Sequence, residues 1–127
     1  MPKPNFFEPN FVLLYVKSPA ASVAFYTELL GHPPVDASPN FAMFALASGV
    51  MLGLWARHDV QPAANGGGGG ELAFAVADNE AVGATHADWS KRGLSIAQAP
   101  TKMDFGFTFT ALDPDGHRLR VFAPSGP

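Results

Sequence analysis

Arg118 and Arg120 stand two residues apart in a segment that alternates Arg118, Arg120 and Phe122 with Leu119 and Val121. As a strand, such a segment carries both guanidinium groups on one face and aliphatic side chains on the other. A guanidinium is a permanently charged, planar donor, suited to pairing with carboxylates and unable to act as a base or a metal ligand. The other residues of catalytic type are dispersed. There are no cysteines, which removes thiol nucleophiles, disulfides and zinc–thiolate sites. The four histidines do not cluster: His32 follows a helix, His58 opens a polar connector, His86 lies on the edge of a helix's buried stripe, and His117 sits in a turn. No Ser-His-Asp or Cys-His arrangement follows from the spacing. Gly66 to Gly70 form a five-glycine run, but no Lys-Ser/Thr follows it and no strand leads into it, so it does not read as a phosphate-binding loop.

The 127 residues suffice for one domain with its own core, expected to span the whole chain. With 47% hydrophobic and 15% charged residues, the composition is that of a globular protein rather than a disordered one. A net charge of −3 and no cluster of Lys or Arg argue against a nucleic-acid surface. No apolar run reaches membrane-spanning length and the N-terminal M-P-K-P-N lacks the apolar stretch of a signal peptide, so no membrane partner and a cytoplasmic location are expected.

The elements that must position the arginines read twice over. Residues 11–16 are β-branched and aromatic and predict a strand. Ser18-Pro19 then caps a helix that Gly31 ends, with Val23, Tyr26, Leu29 and Leu30 as its apolar stripe. A short strand near Val35 and a hairpin over 41–47 and 50–56 complete a first module, 10–57. A flexible, glycine-rich connector, 58–70, leads to a second module, 71–124. There a strand from Glu71, a helix from Asp78 or Asn79 to Gly93, a short strand near Ile96 and a hairpin over 107–122 follow. Asp113-Pro114-Asp115-Gly116 makes the turn of that hairpin. The order β-α-β-β-β thus occurs twice, in an α+β chain. Aligned by their helices and hairpin turns, the halves match Phe11 to Glu71 and Gly53 to Arg120.

This duplication, with S-V-A-F-Y-T-E-L-L-G in the first helix and D-P-D-G-H-R-L-R-V in the last hairpin, resembles the glyoxalase, bleomycin-resistance and extradiol-dioxygenase family, the vicinal oxygen chelate fold. The resemblance implies that the modules curl eight strands into a cup-shaped mixed sheet. It also implies that metal-dependent members hold one ligand on each of four strands, here the positions of Phe11, Gly53 or Leu52, Glu71 and Arg120. Only Glu71 is a suitable donor, so no metal and no cofactor are expected. Glu71 and Arg120 are expected instead to meet as a buried, two-point pair, either cross-linking the modules or contacting a ligand. Within the family, N-F-V-L-L-Y-V, Trp55, F-G-F-T-F and the last hairpin resemble the phenazine antibiotic resistance proteins, which bind a planar tricyclic aromatic.

Alternation assigns Leu13 and Tyr15, Met51 and Trp55, Phe107 and Phe109, with Phe11, Gly53, Ala73 and Ala75, to the inside of the cup. Leu72, Phe74, Val76, Leu119 and Val121 then pack under the helices. Aromatic walls suit a flat guest. The expected ligand-binding residues are Trp55, Glu71, Arg120, Phe109, Tyr15, Leu13, Met51, Phe107 and His58, the last lying three past Trp55. There is no catalytic residue among them. The resemblance also implies a homodimer. The expected function is metal-independent sequestration of a planar aromatic natural product. The alternatives are a metal-dependent lyase or dioxygenase with a drifted site, and a family member that binds another small molecule.

Overall fold

The computed structural model describes residues 9–64 and 70–125, so the flexibility expected of 66–69 falls outside the described residues. The chain divides into two compact units, Met1–Asn65 and Gly66–Pro127. Among the described residues each contains one α-helix and a four-stranded mixed sheet, and both have the order β-α-β-β-β, so the α+β class is as expected.

The first unit comprises β1 (Phe11–Val16), α1 (Pro19–Leu30), β2 (Asp36–Ala37), β3 (Phe41–Ala45) and β4 (Met51–Ala56). Its sheet runs β1-β4-β3-β2, with β1 parallel to β4 and the other pairs antiparallel. The Ser18 hydroxyl accepts from the Ala21 N–H at 3.2 Å and Pro19 opens the first turn, while Gly31 ends the helix at φ 83°. The helix buries Pro19, Ser22 and Tyr26, one position short of the expected stripe, and Val23 is half-buried. Beneath it lies the buried sheet face of Val16, Ala42, Phe44, Leu52, Leu54 and Ala56, with the Tyr26 and Phe44 rings edge to face at 6.5 Å. Each large side chain buried here stabilises by roughly 1.5–3 kcal/mol. A 12-residue helix is marginal in isolation, so this packing rather than propensity holds α1.

The second unit comprises β5 (Glu71–Ala75), α2 (Asn79–Lys91), β6 (Ser95–Met103), β7 (Gly106–Leu112) and β8 (Arg118–Pro124), with sheet order β5-β8-β7-β6. Asp78 caps α2 by accepting from the Ala81 N–H at 2.8 Å. Trp89 of α2 is buried edge-on against Phe74 and Phe109, at 5.8 and 5.5 Å. In the turn between β7 and β8, the Asp113 carboxylate accepts from the backbone N–H groups of Asp115 and His117. Gly116 takes φ 86° there, a conformation that costs glycine nothing.

One strand departs from expectation. β6 is nine residues long rather than a short strand near Ile96, and its ladder with β7 slips twice. An edge strand accommodates Pro100 because one row of its backbone groups needs no ladder partner. β2, two residues long beside Val35, is the short strand expected there. The internal alignment holds in the registers: Leu13 pairs with Gly53 where Ala73 pairs with Arg120, so Phe11 and Glu71 each lie two residues before that partner.

Candidate functional site

In the second unit, the sheet face turned away from α2 carries a connected polar cluster centred on Arg120. Arg120 Nε donates to Glu71 Oε1 at 2.8 Å, and Nη1 donates to Gln98 Oε1 and Thr108 Oγ1, both at 3.2 Å. Thr110 Oγ1 donates to the same Gln98 oxygen at 3.2 Å, and Thr108 Oγ1 donates to the Val121 carbonyl at 2.8 Å. Above the guanidinium lies the Phe105 ring, 5.6 Å from Cζ to centroid, itself edge-on to Phe122 at 6.0 Å. Four strands contribute: β5 gives Glu71, β8 gives Arg120, β7 gives Thr108 and Thr110, and β6 gives Gln98.

The expected Glu71–Arg120 contact is present, with three differences. It is a single hydrogen bond rather than a two-point fork, because Nη1 is turned toward Gln98 and Thr108. It is only partly buried, with side chains 33% and 15% exposed for Glu71 and Arg120. Finally, β5 and β8 are neighbours in one sheet, so the pair ties two strands of the second unit and does not cross-link modules.

Phe107 and Phe109 do not share this face. Phe109 is opposite Val121 in the ladder, fully buried, and edge-on to His86 and Trp89 of α2 at 5.2 and 5.5 Å. Phe107, two residues away, has the same side of β7. Thr108 and Thr110 face Arg120 in their place. Counting back from the turn reveals this, since Leu112 pairs with Arg118 and Thr110 with Arg120. Gln98 had no such signal, because the two slips in the β6–β7 ladder destroy a count. Phe105 was missed because it belongs to the turn between β6 and β7.

The first unit places Leu13, Tyr15, Met51 and Trp55 on one face together with Phe11, Phe41 and Gly53, opposite the face under α1. Tyr15 and Trp55 are ladder partners with rings edge to face at 6.2 Å. Phe11 and Leu13 remain 46% and 44% exposed. Gly53, the counterpart of Arg120, lies under Leu13 and Phe41, and a Cβ there would press on both side chains. His58 is exposed in the single 3-10 turn Arg57–Asp59 that follows Trp55.

The four positions that the family resemblance assigns to metal ligands do not fit a metal. Phe11 is a hydrocarbon, Gly53 has no side chain and its alternative Leu52 is a buried hydrocarbon, Arg120 is a cation, and Glu71 holds that cation. Among the described residues, no group of three or more His, Cys, Asp or Glu side chains could hold an ion. No helix among them is long and apolar enough to cross a membrane.

Two units of β-α-β-β-β order, each with a mixed four-stranded sheet, define the vicinal oxygen chelate fold. Residues 9–121 match the Glyoxalase/Bleomycin resistance protein/Dioxygenase superfamily, and the chain belongs to that family. It is 28% identical over 116 residues to the phenazine antibiotic resistance protein EhpR of Enterobacter agglomerans, covering 89% of each chain. A protein of Agrobacterium tumefaciens whose solution structure is known is 53% identical, with a TM-score of 0.87 over 95% of this chain and 100% of that one. A glyoxalase-related enzyme of Fulvimarina pelagi shares the fold at 22% identity, with a TM-score of 0.80 over 93% of this chain and 88% of its own.

Proposed function

We propose that this protein binds a planar aromatic natural product of the phenazine type without a metal, and confers resistance by sequestering it. The observation that carries this reading is the aromatic sheet face of the first unit. Phe11 and Leu13 stand nearly half exposed there beside the Tyr15–Trp55 pair, apolar surface that a soluble chain leaves open chiefly where something binds. The donor set at the family's metal positions supports binding over metal-centred turnover. The likeness to a phenazine antibiotic resistance protein supports the ligand class. Assembly as a homodimer and a cytoplasmic location belong to the same reading and come from the family resemblance and the composition. Titration of the purified protein with phenazine tests it: quenching of tryptophan emission that saturates at a stoichiometric ratio is expected, and no quenching and no heat of binding would refute it.

A further inference from the structure

We propose that Arg120, with Phe105 beside it, forms within the second unit a subsite for an aromatic carboxylate or an equivalent anionic group; the inference rests on the reading above only in that the ligand is a planar aromatic. Arg120 has its Nε on Glu71 and its Nη1 on Gln98 and Thr108, while Nη2 has no acceptor among the described residues. The side chain is only 15% exposed. Nη2 is not among the buried polar atoms left without a partner, so an incoming acceptor can reach it, and a guanidinium this little exposed gains more from a charge-assisted bond than one in open water. The three occupied contacts hold the guanidinium in place, so the free nitrogen is a preorganised donor rather than a swinging one.

The sign of the partner follows from the charges on that face. Arg118 and Arg120 lie on the same side of β8, two guanidinium groups against the one carboxylate of Glu71, so the local balance favours an anion. A carboxylate accepting from Nη2 would make a charge-assisted bond. Phe105 supplies the other half. Its ring lies against the guanidinium and is itself 43% exposed, so an aromatic body bearing the anion can pack on it. The ring is held from its backbone: the Ser125 N–H donates to the Phe105 carbonyl at 2.8 Å, and Gly106 follows at φ 144° with no room for a Cβ beside the Ala123 carbonyl.

The test uses three probes on the full chain at neutral pH: phenazine, phenazine-2-carboxylate and phenazine-2-carboxamide. The carboxylate should bind at least about tenfold more tightly than the other two, a ratio that raised salt reduces. In Arg120→Met the carboxylate-to-phenazine ratio should collapse toward about one, and Arg120→Lys should keep part of it. The ratio in the parent protein needs no variant to fold. Equal affinity for carboxylate and phenazine overturns the inference and leaves the aromatic reading standing. Equal affinity for carboxylate and carboxamide overturns it as well, since a neutral acceptor would suffice, and so does a ratio unchanged in a folded Arg120→Met protein. If none of the three binds, this inference and the aromatic reading fall together.

Discussion

Arg120 and Glu71 are not ladder partners: across the parallel strands β8 and β5, Arg120 lies opposite Ala73 and Glu71 opposite Arg118, so the 2.8 Å bond runs diagonally over two residues. The long guanidinium stem reaches along the face instead of straight across. That leaves Nη1 aimed at β7 and β6, and one side chain thereby joins all four strands of the sheet.

Replacing Arg120 by Ala should destabilise the protein by roughly 1–2 kcal/mol, since hydrogen bonds to a charged group are lost but each partner keeps an alternative. Thr108 still donates to Val121, Gln98 still accepts from Thr110, and Glu71 is a third exposed to water. The double change Glu71→Gln with Arg120→Met should cost less than the single, because no lone carboxylate remains. Thermal unfolding of the three proteins checks the order, and a single variant that melts like the parent contradicts the network.

Trp55→Ala should weaken phenazine binding by at least about tenfold, or about 1.4 kcal/mol. Stacking contributes about 0.5–1.5 kcal/mol beyond area, and the buried ring face adds roughly 25 cal/mol per Å². Trp89→Phe is the control. Trp89 is buried under α2 against Phe74 and Phe109, so its loss should lower stability and leave affinity unchanged. A folded Trp55→Ala protein that binds like the parent would remove Trp55 from the site.

Two glycines should respond in opposite directions. Gly106→Ala introduces a Cβ against the Ala123 carbonyl at φ 144°, and should cost on the order of 2 kcal/mol or more. Gly83→Ala, in α2 with nothing near its Cβ position, should gain about 0.5–1 kcal/mol from helix propensity. Denaturant midpoints at constant slope measure both.

Purified protein should carry no stoichiometric zinc, nickel, iron or manganese, and a chelator should leave both the melting temperature and phenazine binding unchanged. A resident ion would stabilise the folded form measurably. Elemental analysis showing about one tightly held ion per chain would falsify the assignment of the four ligand positions.

Sequence alone determined the features set by short-range chemistry. Ser18-Pro19 and Gly31 bound the first helix, Asp78 opens the second, and the Asp113–Gly116 turn makes the last hairpin, because caps and turns depend on a few neighbouring residues. The repetition of those signals made the duplicated fold and the Phe11/Glu71 and Gly53/Arg120 correspondence legible. The direction of side chains on β7 was not. F-T-F-T alternates two kinds of residue that can each be buried, and only the ladder with β8 and the packing of Trp89 and His86 on Phe109 turn the phenylalanines toward α2 and the threonines toward Arg120. The surroundings of Arg120 likewise belong to the tertiary structure. Gln98 reaches it through a strand that slips twice, and Phe105 covers it from a turn, contacts between residues 22 and 15 positions away that no local pattern specifies.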